Sequence, residues 1–244
     1  MTRPERIPRV IHYCWYGNAP VSELGRACIK TWAEKMPGYS IRKWDESQLD
    51  RQIPYVDVAY RERKFAFVAD YMRLKALYAH GGLYFDTDIE VIRPFDDLLG
   101  HELFFGLQSP DSVAVGVIGA VKGHPFLRLV LDKLDAQARR GRPTYEPLPD
   151  LITQLARAKA AATPTLLPEE CFYPYNPYSS VALRRKPLQS NITEQTFCIH
   201  HWEGTWLGDA SLGMMISMRL KAALRRANPA RRRLLTPQSA ASRP

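Results

Sequence analysis

The chain has 244 residues, 45% of them hydrophobic and 11% aromatic. That is enough for one sizeable core, and it excludes a disordered or fibrous protein. No apolar run approaches the roughly 20 residues that a membrane-spanning helix needs. The net charge of +9 sits at one end: Arg219, Lys221, Arg225, Arg226, Arg231, Arg232, Arg233 and Arg243 fall after residue 218 with no acidic residue among them, leaving +1 for residues 1–218. A near-neutral body with a cationic tail argues against nucleic acid as a partner of the body and confines the charge question to the tail.

In chain order, residues 7–16 are rich in β-branched and aromatic types and end at Gly17-Asn18, a strand followed by a turn. Leu24, Cys28 and Trp32 recur every four residues, which predicts a helix from about Ser22 that stops by Pro37. Residues 39–44 read as a second strand, so the chain opens strand–helix–strand, as nucleotide-binding α/β domains do. A longer helix is expected over 64–79, closed by Gly81-Gly82 in a left-handed cap. Residues 83–85 form a short buried strand, the acidic triplet and residues 89–92 follow it, and two further strand-like runs cover 103–107 and 113–121. Helices are expected over 125–138 and 149–162, an irregular surface loop over 163–190, and a last strand over 196–201. The four cysteines (Cys14, Cys28, Cys171, Cys198) show no CxxC spacing and read as small reduced core residues.

The chemistry concentrates at Asp86-Thr87-Asp88, directly after the short buried strand. In α/β sheets the carboxyl ends of strands are where ligands bind. Two carboxylates two residues apart on extended chain point the same way and repel each other. A hard divalent cation with oxygen preference, Mn²⁺ or Mg²⁺, relieves this and can also hold a diphosphate. On the preceding helix Asp70 and Arg73 lie three apart among apolar neighbours, so Arg73, steadied by Asp70, is placed to reach a diphosphate or sugar. Near the end, His200 and His201 are adjacent in a strand and must face opposite ways, so at most one can line a site.

Residues 7–15, 66–74, 78–88 and 199–202, with Trp206, resemble the family 32 glycosyltransferases, known for a DXD-containing sugar-binding region. The resemblance is dense over 7–108 and sparse over 196–208. It implies a GT-A fold with a mixed central sheet, a retaining mechanism and a need for Mn²⁺ or Mg²⁺. Carried over residue by residue, it implies that Trp15 stacks on the nucleotide base and that Asp70 and Arg73 contact the donor sugar and diphosphate. Tyr84 joins the donor-binding residues. Asp86 would hold ribose or sugar hydroxyls and metal-bound water, Asp88 the metal, His200 a further metal position, and Trp206 would close over the diphosphate. Ala69 and Thr205 each stand where many members have Ser, which bears on fine contacts only.

The partners so implied are a nucleotide-sugar donor, a uridine one first, and a glycan or lipid-linked acceptor of capsule or lipopolysaccharide type. A haloacid-dehalogenase-type phosphatase also sets DxD after a strand, but on the first strand and with a hydroxyl or Val two residues later, where Glu90 stands here. The expected division is a catalytic unit over 1–210 and a basic, partly disordered tail over 211–244. Leu212, Ile216, Leu220 and Leu224 give that tail helical spacing suited to an anionic membrane surface. Without a signal-peptide core at the N-terminus, the expected location is cytoplasmic, peripheral at the membrane's inner face.

Overall fold

The computed structural model describes residues 6–139, 143–158, 162–177 and 191–204. The elements are β1 (Val10–Cys14), α1 (Glu23–Lys35), β2 (Ser40–Trp44), α2 (Pro54–Arg61), α3 (Phe65–His80), β3 (Gly82–Phe85), β4 (Ile89–Val91), β5 (Leu103–Ser109), β6 (Ser112–Ala120), α4 (Pro125–Arg139), α5 (Leu148–Arg157), β7 (Thr165–Leu167) and β8 (Cys198–His200). Six strands form one mixed sheet in the order β2-β1-β3-β6-β5-β7. β1 runs parallel to β2 and β3, β6 runs antiparallel to β3 and β5, and β7 parallel to β5. β4 and β8 form a separate antiparallel pair.

Side-chain alternation along β3 divides the interior in two. Tyr84 joins the core beneath α2, α3, α4 and α5, while Leu83 and Phe85 join the core shared with Trp32, Phe95, Phe172 and Phe197. Helix α1 begins where Ser22 accepts the Gly25 N–H at 2.9 Å, and it buries Gly25, Cys28 and Trp32. The Trp32 indole N–H donates to Ile89 O at 2.6 Å, and Thr31 accepts the Val91 N–H at 2.9 Å. These two bonds fix β4, and the acidic turn before it, against α1.

Helix α3 is buried on most of its circumference, from Val68 through Leu77. It ends at Gly81 and Gly82, with φ of 66° and 110°. A Cβ at Gly82 would lie 2.6 Å from Val10 O, so only glycine lets β3 start beside β1 here. The ψ of −173° at Gly81 takes it out of the left-handed region, so the expected cap is replaced by a sharper turn straight into the strand.

Other elements also depart from expectation. Helix α2, with Pro54 in its first turn and Tyr55, Val56 and Ala59 inward, was not anticipated. Helix α5 ends at Arg157, short of residue 162. The described part of the 163–190 segment is not a surface loop: β7 extends the sheet, and Cys171, Phe172 and Tyr173 are buried. Its prolines fall around a three-residue edge strand, which proline tolerates, and their number disguised the apolar residues between them. The four cysteines are buried and free, as expected. Burial pushes the Cys14, Cys28 and Cys171 thiols up to about 12.

His12 is fully buried and both its ring nitrogens are used: one lies 2.9 Å from Gly81 O, the other accepts the Trp44 indole N–H at 3.0 Å. That pattern requires a neutral ring. Burial lowers its pKa to about 4, against the pull of the Gly81 carbonyl, and the nearby His80 and Arg42 lower it further. A depressed folded-state value means stability present above the unfolded pKa near 6.5 and lost as pH falls from there towards about 4. The expected result is a loss of up to about 3 kcal/mol across that window in urea titrations, and a smaller loss in His12→Met. Equal acid sensitivity of the two would assign it to other groups.

Candidate active site

The site is built on the acidic turn that follows β3. Asp86 N–H donates to Gly116 O at 2.9 Å, and Asp86 O accepts the Ile89 N–H at 3.1 Å. The triplet is therefore a closed turn, not extended chain, and its two carboxylates meet different partners. Asp86 accepts the Tyr84 hydroxyl at 3.0 Å and lies 3.3 Å from the Arg73 guanidinium. Asp88 lies 3.2 Å from His200 Nε2 and accepts the Glu203 N–H at 2.8 Å. The pairing of β8 with β4, in which Ile89 stands opposite His200, carries the histidine there.

Arg73 turns inward. It pairs with Asp70 at 3.1 Å and with Asp86, donates to Val115 O at 2.8 Å, and covers the Tyr84 ring at 4.5 Å from its centroid. Burial works against its charge, but Asp86, Tyr84 and Asp70 raise its pKa on balance. Burial pushes Asp70 up to about 6, with Arg73 opposing and Asp86 adding to the rise. For Asp88 burial is outweighed by His200 and the Glu203 N–H, which bring it down to about 2. Asp88 is thus held ionised within a largely buried turn.

The floor of the site is a bulge in β6. Pairing with β5 jumps from Phe105–Ile118 to Gly106–Ala114, so residues 115–117 of β6 have no β5 partner. Their backbone serves the site instead: Val115 O takes Arg73, Gly116 O takes the Asp86 N–H, and the Val117 N–H goes to the Tyr173 hydroxyl at 3.2 Å. A Cβ at Gly116 would lie 3.1 Å from Asp86 Oδ2 and 3.5 Å from His200 Nδ1. The missing side chain is what lets carboxylate and imidazole share that space.

Asp70, Arg73, Tyr84, Asp86, Asp88 and His200 are therefore brought together as the sequence suggested. Arg73 and Tyr84 are both buried and meet the acidic turn at Asp86, because a guanidinium in the core needs fixed acceptors. His200 is buried and His201 is exposed on Glu90 at 2.8 Å, the opposite orientations that adjacent strand positions require. Trp15 is half-buried after β1, its indole N–H on Ala19 O at 2.6 Å. Trp206, and the tail from 211, lie outside the described residues. Gly116, Tyr173 and Glu203 were missed. The one available signal was a glycine interrupting an apolar strand, which marks a bulge or a close approach.

Residues 22–105 match the family described as "Glycosyltransferase sugar-binding region containing DXD motif". Over that stretch the chain is similar to the DXD sugar-binding region of the glycosyltransferases. It is 30% identical over 133 residues to inositol phosphoceramide mannosyltransferase 3 of Schizosaccharomyces pombe, covering 52% of this chain and 37% of that one. An uncharacterized glycosyltransferase of Acanthamoeba polyphaga mimivirus is 26% identical over 194 residues, 71% of this chain and 75% of the viral protein. The chain thus spans little more than a third of the fission-yeast relative. The solved PaToxG glycosyltransferase superposes with a TM-score of 0.53 at 22% identity, covering 63% of this chain and 70% of that one. The fold is of the GT-A glycosyltransferase type. The family match includes Asp70 to Asp88 but neither Trp15, Gly116, Tyr173 nor His200.

Proposed function

We propose that the chain is a metal-dependent retaining glycosyltransferase that moves a sugar from a nucleoside-diphosphate sugar, a uridine one first, to a hydroxyl of a glycan or lipid-linked acceptor. The observation that carries this reading is the meeting of the Asp86–Asp88 turn with His200 from β8 at the carboxyl end of β3.

Among the described residues no group of three or more His, Cys, Asp and Glu side chains is gathered as a ready metal-holding set. The residues nevertheless fit a divalent cation. Asp88 Oδ1 and His200 Nε2 are 3.2 Å apart, close to the about 3 Å between neighbouring ligands of an octahedral ion with bonds near 2.1 Å. His200 Nδ1 is buried and has no hydrogen-bond partner among the described residues, beside the Gly116 cradle that Asp86 Oδ2 also borders. Asp88 and His200 would hold Mn²⁺ or Mg²⁺ directly, and Asp86 would hold its water or the donor's hydroxyls. When bound, such an ion supplies positive charge at the leaving diphosphate.

This chain's own residues then divide the remaining work. Trp15 offers a flat surface to the base, and Arg73, itself paired with Asp70, holds Asp86 in place for the sugar end of the donor. Charge that grows on the leaving oxygens as the anomeric carbon becomes cationic meets groups already oriented for it. No carboxylate is assigned as a nucleophile; front-face displacement, with the leaving phosphate taking the acceptor proton, is the route adopted. The test is a screen of nucleotide sugars for hydrolysis with and without Mn²⁺. No donor turned over under any metal condition would refute the reading.

Trp15→Ala is expected to raise the donor KM about tenfold while changing saturated turnover less, since aromatic–base stacking contributes on the order of 1–3 kcal/mol. An unchanged KM with early melting would make Trp15 a packing residue. The basic tail is proposed to hold the enzyme at an anionic membrane face in the cytoplasm, at about 1 kcal/mol per basic residue near the surface. Removing residues 211–244 should abolish sedimentation with anionic vesicles at low salt and spare donor hydrolysis. Full-length protein that ignores such vesicles would exclude the membrane role.

A further inference from the structure

We infer that Tyr173 is a positioning residue for His200, tying the β6 bulge beneath Asp86 to the imidazole proposed to hold the cation. The inference rests on the glycosyltransferase reading above and adds a residue that lies outside the family match.

Two faces of Tyr173 do different things. Its hydroxyl accepts the Val117 N–H at 3.2 Å, a backbone donor that the bulge has removed from the β5 ladder. Its ring lies 5.7 Å from His200 and 5.7 Å from Trp202, whose own ring stacks on His200 at 4.1 Å. His200 is thus seated on two aromatic neighbours, one of them anchored to β6. The same stretch of β6 receives the Asp86 N–H at Gly116 O and the Arg73 guanidinium at Val115 O. One bulge therefore registers the acidic turn and the histidine against each other, although they lie more than a hundred residues apart in the chain.

The surroundings are shaped for this ring. Tyr173 is 1% exposed, and a Cβ at Gly106 in β5 would lie 2.6 Å from its Cε2. A packing role alone would be met by Phe, without the cost of burying a hydroxyl. Tyr173 is buried against His200, so its effect passes through that ring, as partners of metal-bound histidines act on affinity.

The test compares Tyr173→Phe with Phe172→Leu, the adjacent buried aromatic of the same core. Mn²⁺ affinity is measured by calorimetric titration, the melting temperature by circular dichroism, and the His200 ring signals by NMR without metal. The expected result for Tyr173→Phe is Mn²⁺ binding weakened about tenfold, with shifted His200 ring signals. Phe172→Leu should melt earlier yet bind Mn²⁺ as the native protein does. Native Mn²⁺ affinity in Tyr173→Phe, or an equal loss in Phe172→Leu, overturns the positioning role while the transferase reading stands. Native protein that binds neither Mn²⁺ nor Mg²⁺ overturns both.

Discussion

Asp88→Asn should leave the protein folded and lower sugar transfer by roughly a hundred- to a thousand-fold, the usual cost of losing one preorganised charge-stabilising group. Asp88 accepts the Glu203 N–H through one oxygen and faces His200 with the other. An Asn can keep the first bond with its carbonyl and turn its amide towards the imidazole, so the turn survives. What disappears is the negative charge that the surroundings hold at a pKa of about 2. Mn²⁺ titration should show weakened binding and the melting temperature should stay close to native. Full turnover in the variant, or in native protein under excess chelator, would remove the cation from the mechanism.

Arg73→Met carries the largest expected effect on stability. Arg73 is 6% exposed and compensates Asp70 and Asp86 while satisfying Val115 O. Deleting one member of a buried charge network leaves the others uncompensated, at about 3–5 kcal/mol. For a domain of this size that is about 10 °C in melting temperature. Arg73→Lys should fall between, because an ammonium keeps the charge but cannot span the same acceptors with a planar fork. A methionine variant that melts with the native protein would mean that the two aspartates find other partners, or take up protons.

The contrast between these residues explains what the sequence made legible. Asp70, Arg73, Asp86 and Asp88 lie in one helix–turn–strand unit, so helical spacing and the Gly81-Gly82 break already place them together. The strands of the sheet other than β7 were readable for the same local reason, through apolar runs bounded by turns. Arg73's inward orientation was not, because its acceptor Val115 is 42 residues away. Nor was the bulge, since a register jump between β5 and β6 depends on packing from β7 and Tyr173 that no local pattern encodes. Helix α2 did leave a trace, a proline followed by Tyr55, Val56 and Ala59 at helical spacing, but eight residues give a short signal. His200 became a candidate by resemblance; its partner Asp88 follows from the β4–β8 register.

That register also sets a schedule. β4 waits unpaired from residue 91 until Cys198–His200 has left the ribosome. A growing chain can therefore assemble β1 to β6 and display the acidic turn well before the imidazole that faces it exists. Domains form while synthesis proceeds from the N-terminus. The pairing of Asp88 with His200, on which the proposed cation site rests, then arises late in translation, and a chain cut short before Cys198 keeps the acidic turn without that histidine.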